Sequence, residues 1–398
     1  MPSYEEIKKQ LERYWFNYLK ENYKNLSTLN LEGASPPSVF VGHYGYPKVN
    51  LGPMVPLEHG DTRILDTPEM WIGKELQDIL NIRLALVRGL KTFKTTDLNQ
   101  RFITSLQELA MSSKSPECEM KFDSRPRFDS DYLTNGNILK IETPPFGPKG
   151  GLKSFKLTSS NSDKRIENSY TDGDLKSTQA IIQLYKNGIE VSKIQKILSL
   201  GMLGIKKNRK LVPTRWSISA VDDILSSNLT KEISQYDTIN SFEVFKYNHL
   251  SNWYSILIAP HSVWSFEMIE AWYDKQNKKF VLESDYEDAR GLNHYPKIAG
   301  AYFAARLGVT EYLSRKKRNA AVLIFREIHP TYLVPLGVWQ IREGIRESLR
   351  NDHPEKCKDF QTALICSSNG LQVPLIDWIR KSNFYKNYGK QLLISRFF

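Results

Sequence analysis

Cysteine is the scarcest informative residue in this chain: Cys118, Cys357 and Cys366 are the only three among 398 residues, widely spaced and without a C-x-x-C pair. Such spacing argues against a zinc site or a disulfide framework, and it points to an intracellular, cytoplasmic protein. No stretch approaches the roughly 18 consecutive apolar residues of a membrane span, so no membrane association is expected. The opening Met1-Pro-Ser-Tyr-Glu-Glu6 has no basic region leading into an apolar one and does not read as a signal peptide. Walker and dinucleotide-binding spacings are missing. So are internal repeats, a coiled-coil register and low-complexity tracts. Negative charge is the minority sign, with 44 Asp and Glu against 55 Lys and Arg, a net +11 that favours a polyanionic partner.

What is present describes an ordinary globular chain, 40% hydrophobic and 25% charged. Its length is enough for more than one core, and two domains are expected. A Ser3-x-x-Glu6 capping box precedes apolar residues at helical spacing and predicts an amphipathic helix to about Tyr23. Ser38–Gly42 reads as a short strand entering a glycine-punctuated loop that runs to Pro53. Pro68 after Thr67 predicts a helix start, with the helix ending near Gly89. A further helix is expected from Asp97, a half-buried strand at 118–123, and an irregular excursion over 143–173. Two short helices closed by Gly188 and Gly201 follow.

The β-rich stretch 242–286 reads as a meander closing a first domain. After it come a helix over about 297–317, a buried strand at 320–325, and an amphipathic helix near 338–349 whose outer face carries Arg342, Glu343, Arg346 and Glu347. A last helix is expected near 373–381. The expected fold is therefore mixed α and β (α+β), a β-rich meander plus helices. Residues 1–287 form an N-terminal domain, 288–384 a C-terminal domain, and 385–398 a basic, flexible tail.

Three groups of residues carry candidate chemistry. The final eight, Gln391-Leu-Leu-Ile394-Ser-Arg-Phe397-Phe398, fit Gln-x-x-aliphatic-x-x-aromatic-aromatic, the peptide with which repair and replication proteins bind a sliding clamp (the PIP motif). One tight turn brings Ile394, Phe397 and Phe398 to one side as an apolar plug, and Gln391 supplies an amide at the rim. Ordinary residue usage would produce the pattern at roughly one position in 30,000.

The basic run Lys206-Lys207-Asn-Arg209-Lys210, followed by Arg215, suits nucleic-acid or phosphate contact; a solvated loop is the alternative. His43, Tyr44, Tyr46 and Asn50, with Thr214 and Trp216, have the chemistry of a nucleotide pocket: rings to stack, amide and hydroxyl to read polar edges, and Arg215 to take a phosphate. Asp222, Asp223, Glu267, Glu270 and Asp285, with Glu287 and Asp288 nearby, are weak candidates for a metal-dependent nuclease, which needs carboxylates gathered around a divalent cation. Their spacing is not diagnostic. No metal site and no cofactor are read from the sequence; a divalent metal enters only with the nuclease alternative.

Five segments resemble the archaeal Nre family: Pro37–Pro47 (PSVFVGHYGYP), Val212–Ile218 (VPTRWSI), Trp264–Trp272 (WSFEMIEAW), Gly300–Arg306 (GAYFAAR) and Pro335–Glu343 (PLGVWQIRE). With the tail they cover nearly the whole chain in order. The resemblance implies a DNA-damage repair factor with N- and C-terminal family domains, recruited by the archaeal sliding clamp, the homologue of proliferating cell nuclear antigen (PCNA). DNA is the other implied partner. Many members carry an N-terminal four-cysteine zinc finger, and this chain begins without one. The resemblance assigns no catalytic residues, so whether the chain is an enzyme stays open.

Overall fold

The computed structural model describes Lys9, Arg13 and residues 29–394, except 129–146, 159, 275–276, 333 and 351–352, and gives side chains as far as residue 388. Apart from Lys9 and Arg13, the helix expected over 3–23 lies outside the described residues, as do Phe397 and Phe398. The chain divides into two compact units, one holding residues 1–224 and 333–336, the other 225–332 and 337–398.

The first unit is built on strands β1 (Asn30–Ala34), β2 (Ser38–Val41), β3 (Lys48–Val55), β4 (Val87–Lys94), β5 (Glu117–Phe122) and β6 (Lys149–Leu157), in the order β1-β5-β6-β4-β3-β2. All neighbours are antiparallel except β4 and β6. Helices α1 (Leu76–Leu84), α2 (Arg101–Met111), α3 (Lys164–Thr171), α4 (Ser177–Lys186), α5 (Val191–Ser199) and α6 (Thr214–Ile233) complete it, the division between units falling within α6.

Two expectations are corrected here. The single helix from Pro68 to Gly89 is replaced by one short 3-10 turn (Pro68–Met70), α1 and then β4, which itself contains Gly89. Gly73 is left-handed (φ +78°) and breaks the run before it can propagate. The stretch 143–173 is not wholly irregular either, for it holds β6 and α3. Its glycines serve close packing: a Cβ on Gly150 would sit 2.9 Å from the Phe122 ring.

The second unit contains β7 (Phe242–His249), β8 (Asn252–Ala259), β9 (Ser265–Asp274), β10 (Lys279–Glu287), β11 (Ala321–Ile328) and β12 (Glu355–Cys357), in the order β10-β9-β11-β8-β7-β12. Helices α7 (Gly300–Lys316), α8 (Trp339–Ser348), α9 (Phe360–Ser368), α10 (Leu375–Lys381) and α11 (Asn383–Ile394) cover it. β11 is buried at every position. Alternation sends Val322 and Ile324 to one face, against α7 and α8, and Ala321, Leu323 and Phe325 to the other, against α9 to α11.

A strand apolar on both faces belongs in the middle of a covered sheet. Accordingly β11 inserts between β8 and β9, antiparallel to one and parallel to the other. The stretch 242–286 is thus not a plain meander, and it shares a sheet with a strand more than thirty residues downstream. The expected outer face of α8 is also corrected. Arg342 and Glu343 are buried, and Glu343 accepts from Arg346, which also pairs with Glu311 of α7.

Candidate nucleic-acid interface

The first unit brings the glycine-punctuated loop and the Pro-Thr-Arg-Trp segment together. Thr214 opens α6, and its hydroxyl accepts a hydrogen bond from the backbone N–H of Val41 at 3.0 Å, fixing the end of β2 to the helix start. The same hydroxyl lies 3.3 Å from that of Ser199, which donates to the Val212 carbonyl. Farther along β2, the Ser38 hydroxyl donates to the Asp66 carboxylate. Asp66 in turn holds Lys196 of α5 at 2.8 Å. The loop beyond β2 is closed by Gly42 N–H to Asn50 C=O and Lys48 N–H to Gly45 C=O, with Gly45 at φ +81°.

This scaffold sets Tyr46 and Trp216 with ring centroids 5.1 Å apart, tilted by 53°. Tyr44 stands beside His43, centroids 4.1 Å apart. The rings face solvent: Tyr44 is 77% exposed, Tyr46 50% and Trp216 46%. Asn50, on the solvent side of β3, accepts from the Thr92 hydroxyl.

Basic residues border the rings. Lys48 of β3 lies directly opposite Lys94 of β4 in the antiparallel register. Thr95 donates its N–H to Pro47 C=O at 2.9 Å and accepts from Leu211 N–H at 2.8 Å, which brings Lys210 to the same edge. Lys48, Lys94, Lys206, Lys207, Lys210 and Arg215 are all exposed. Arg209 is different: its guanidinium donates to the carbonyls of Gly204, Tyr170 and Asp172, and burial lowers its pKa. It ties the loop to the end of α3 rather than facing outward.

Lys48 and Lys94 were not singled out from the sequence. Only strand register places them beside the aromatic loop, and nothing in the local spacing signals it.

The carboxylates are dispersed. Asp222 and Asp223 lie in the first unit, where buried Asp222 accepts from the Gln195 amide at 3.0 Å. Glu267, Glu270 and Asp285 lie in the second. Glu267 accepts from the Ser382 hydroxyl and from the N–H groups of Asn383 and Phe384, so it anchors the start of α11; burial pushes its pKa up. Glu270 pairs with Arg326, which also donates to Asn252, and Asp285 accepts from Ile298 N–H. Trp264 and Arg306 converge on Glu287. Strand alternation puts Glu267 on the opposite face of the sheet from Glu270. Among the described residues, no three His, Cys, Asp or Glu side chains are grouped as a metal ion would require.

A two-sheet protein with an exposed basic and aromatic edge is the class that fold and surface define. The chain belongs to the archaeal Nre family: the model described as "Archaeal Nre, N-terminal" matches residues 13–277 and "Archaeal Nre, C-terminal" matches 287–397. It is 37% identical to DNA repair protein NreB of Archaeoglobus fulgidus, over 92% of this chain and 91% of that protein. DNA repair protein NreA of the same organism is 34% identical over 89% of this chain and 90% of its own length. NreA of Haloferax volcanii is 32% identical over 89% and 86%. No solved structure matches the chain.

Proposed function

We propose that this chain is a DNA repair factor that docks on the archaeal sliding clamp through Gln391, Ile394, Phe397 and Phe398, and contacts DNA through its basic loops. The repair role is supported by relatives that carry that name over nine-tenths of the chain. The observation that carries DNA contact is the exposed set Lys206, Lys207, Lys210 and Arg215 in a chain of net charge +11. Clamp docking raises the local concentration of DNA, so modest intrinsic affinity suffices. A DNA repair role is compatible with the cytoplasm; no described helix is long and apolar enough to cross a membrane.

The test is a calorimetric titration of purified clamp with the full chain and with a Phe397→Ala, Phe398→Ala double variant. The variant is expected to lose clamp binding and keep its melting temperature, because buried anchors dominate such interfaces. Unchanged affinity would overturn the docking reading.

A further inference from the structure

The aromatic rings of the first unit add a requirement that the basic loops alone do not make. Phosphate contact needs only cations, and both duplex and single strands offer it. Tyr44, Tyr46 and Trp216 instead offer ring faces to solvent, which water does not stabilise and which the unit's own core does not cover. Their backbone is fixed by the hydrogen bonds of the β2–β3 loop and by the tie between Thr214 and Val41, so the rings project from a scaffold that is ordered before any ligand arrives.

Among the described residues, the Lys48, Lys94, Lys210 and Arg215 side chains form no ion pair, although the Asp97 carboxylate accepts the Lys94 backbone N–H at 2.9 Å. Lys48 and Lys94 are like charges directly across a strand pair, an arrangement that costs stability until an anion lies between them. Rings in reach of phosphate-binding cations are the combination that holds an unstacked strand: bases lie on the rings and the backbone follows the lysines. A duplex keeps its base faces inside and cannot use the rings.

We infer that this edge binds a single-stranded nucleic acid, with bases stacked on Tyr44, Tyr46 and Trp216 and phosphates on Lys48, Lys94, Lys210 and Arg215. The inference rests on the DNA-contacting reading above and narrows it to the strand form. The openness of the rings favours a polymer over a free nucleotide, which a closed pocket would suit better. Ring faces and phosphates are common to DNA and RNA, so the chemistry specifies the strand and leaves the sugar to measurement.

The test is fluorescence anisotropy at low salt with the full chain. Probes are a labelled oligothymidylate of about twelve nucleotides, its uridylate counterpart, and a duplex of the same length. The wild type is expected to prefer a single strand over the duplex. Trp216→Ala and Tyr46→Ala are each expected to weaken single-strand binding roughly five- to tenfold or more while leaving duplex affinity unchanged, and Trp216→Phe to restore most of the loss.

Unchanged duplex affinity also certifies that the variants fold. If the variants leave single-strand affinity intact while the protein binds DNA, the stacking inference falls and the DNA-contacting reading stands. If the wild type binds no nucleic acid, both fall. Equal losses on single strand and duplex, or thymidine monophosphate binding as tightly as the oligomer, would also overturn the inference. Tighter binding of the DNA or the RNA strand identifies the source and supports it in either case.

Discussion

Glu267 illustrates how a single side chain acts differently from what its sequence neighbourhood suggests. In the segment Trp264–Trp272 it is one of two acids, with Glu270, among mostly apolar residues, the kind of pair that could ligate a cation. In the fold it is fully buried, and its oxygens receive a hydroxyl and two backbone N–H groups at the start of α11. Removing it leaves the Ser382 hydroxyl and the Asn383 and Phe384 N–H groups without their acceptor, and each buried one costs about 1–3 kcal/mol. Glu267→Ala is expected to lower unfolding free energy by about 3 kcal/mol or more, read from the denaturant midpoint of the second unit's transition. Loss of less than about 1 kcal/mol would show that the anchor is dispensable.

Glu327 of β11 has the same design with a pH signature. Burial acts to raise its pKa, but contacts to His329 at 2.6 Å and the N–H groups of Gln372 and Val373 outweigh it and hold the carboxyl below its ordinary 4.5. A depressed folded value means that its contribution is complete above the unfolded pKa and is lost as pH falls through the folded one. Stability is therefore expected to decline as pH drops below about 4.5, and Glu327→Gln to flatten that decline. Parallel pH profiles for the two proteins, from thermal melts, would rule out this role.

At the scale of elements, α6 is positioned by one hydroxyl. Ser219 and Asp222 suggest from sequence a cap for a helix beyond a polar turn, but the helix already begins at Thr214, directly after Pro213. That Thr214 also accepts from Val41, 173 residues away in the chain, is a tertiary fact. Thr214→Val keeps the shape and removes the acceptor. A loss of about 1–2 kcal/mol is expected, with faster hydrogen exchange at the Val41 amide. An unchanged exchange rate there would mean that the loop is held by its own hydrogen bonds alone.

The same scale explains what sequence reading missed. Strand β6 was hidden by Gly150 and Gly151, residues normally read as loop formers, because their close approach to Phe122 and Asp123 is invisible locally. The α8 face bearing Arg342, Glu343 and Arg346 looks solvent-exposed by composition. Only the partner Glu311 on α7 shows why those charges are mostly covered. Arg209 looks like its neighbours in the basic run until its three carbonyl partners are seen.

Across the whole molecule, the family models and the compact units divide the chain differently. The N-terminal model ends at residue 277 and the C-terminal one begins at 287, whereas the units separate between 224 and 225. The family boundary falls at β10, inside the second sheet, and β11 pairs with both β8 and β9. A fragment of residues 1–287 would therefore leave two apolar strand edges open. It is expected to aggregate or to lose protection from proteolysis across 242–287, while the full chain stays resistant. A soluble fragment protected over that span would refute the dependence on β11.

Sequence alone determined the family, the mixed α and β class, the buried strand at 320–325, the glycine stops after α4 and α5, and the residue types of the 42–50 and 206–216 segments. These are local properties, carried by periodicity, caps and spacing within a few turns of chain. Tertiary structure alone decided that β11 lies between β8 and β9, that Lys48 faces Lys94, and that Tyr46 meets Trp216. Each depends on contacts between residues far apart in the chain, set by which apolar faces can be covered together, and no window of neighbouring residues contains that information.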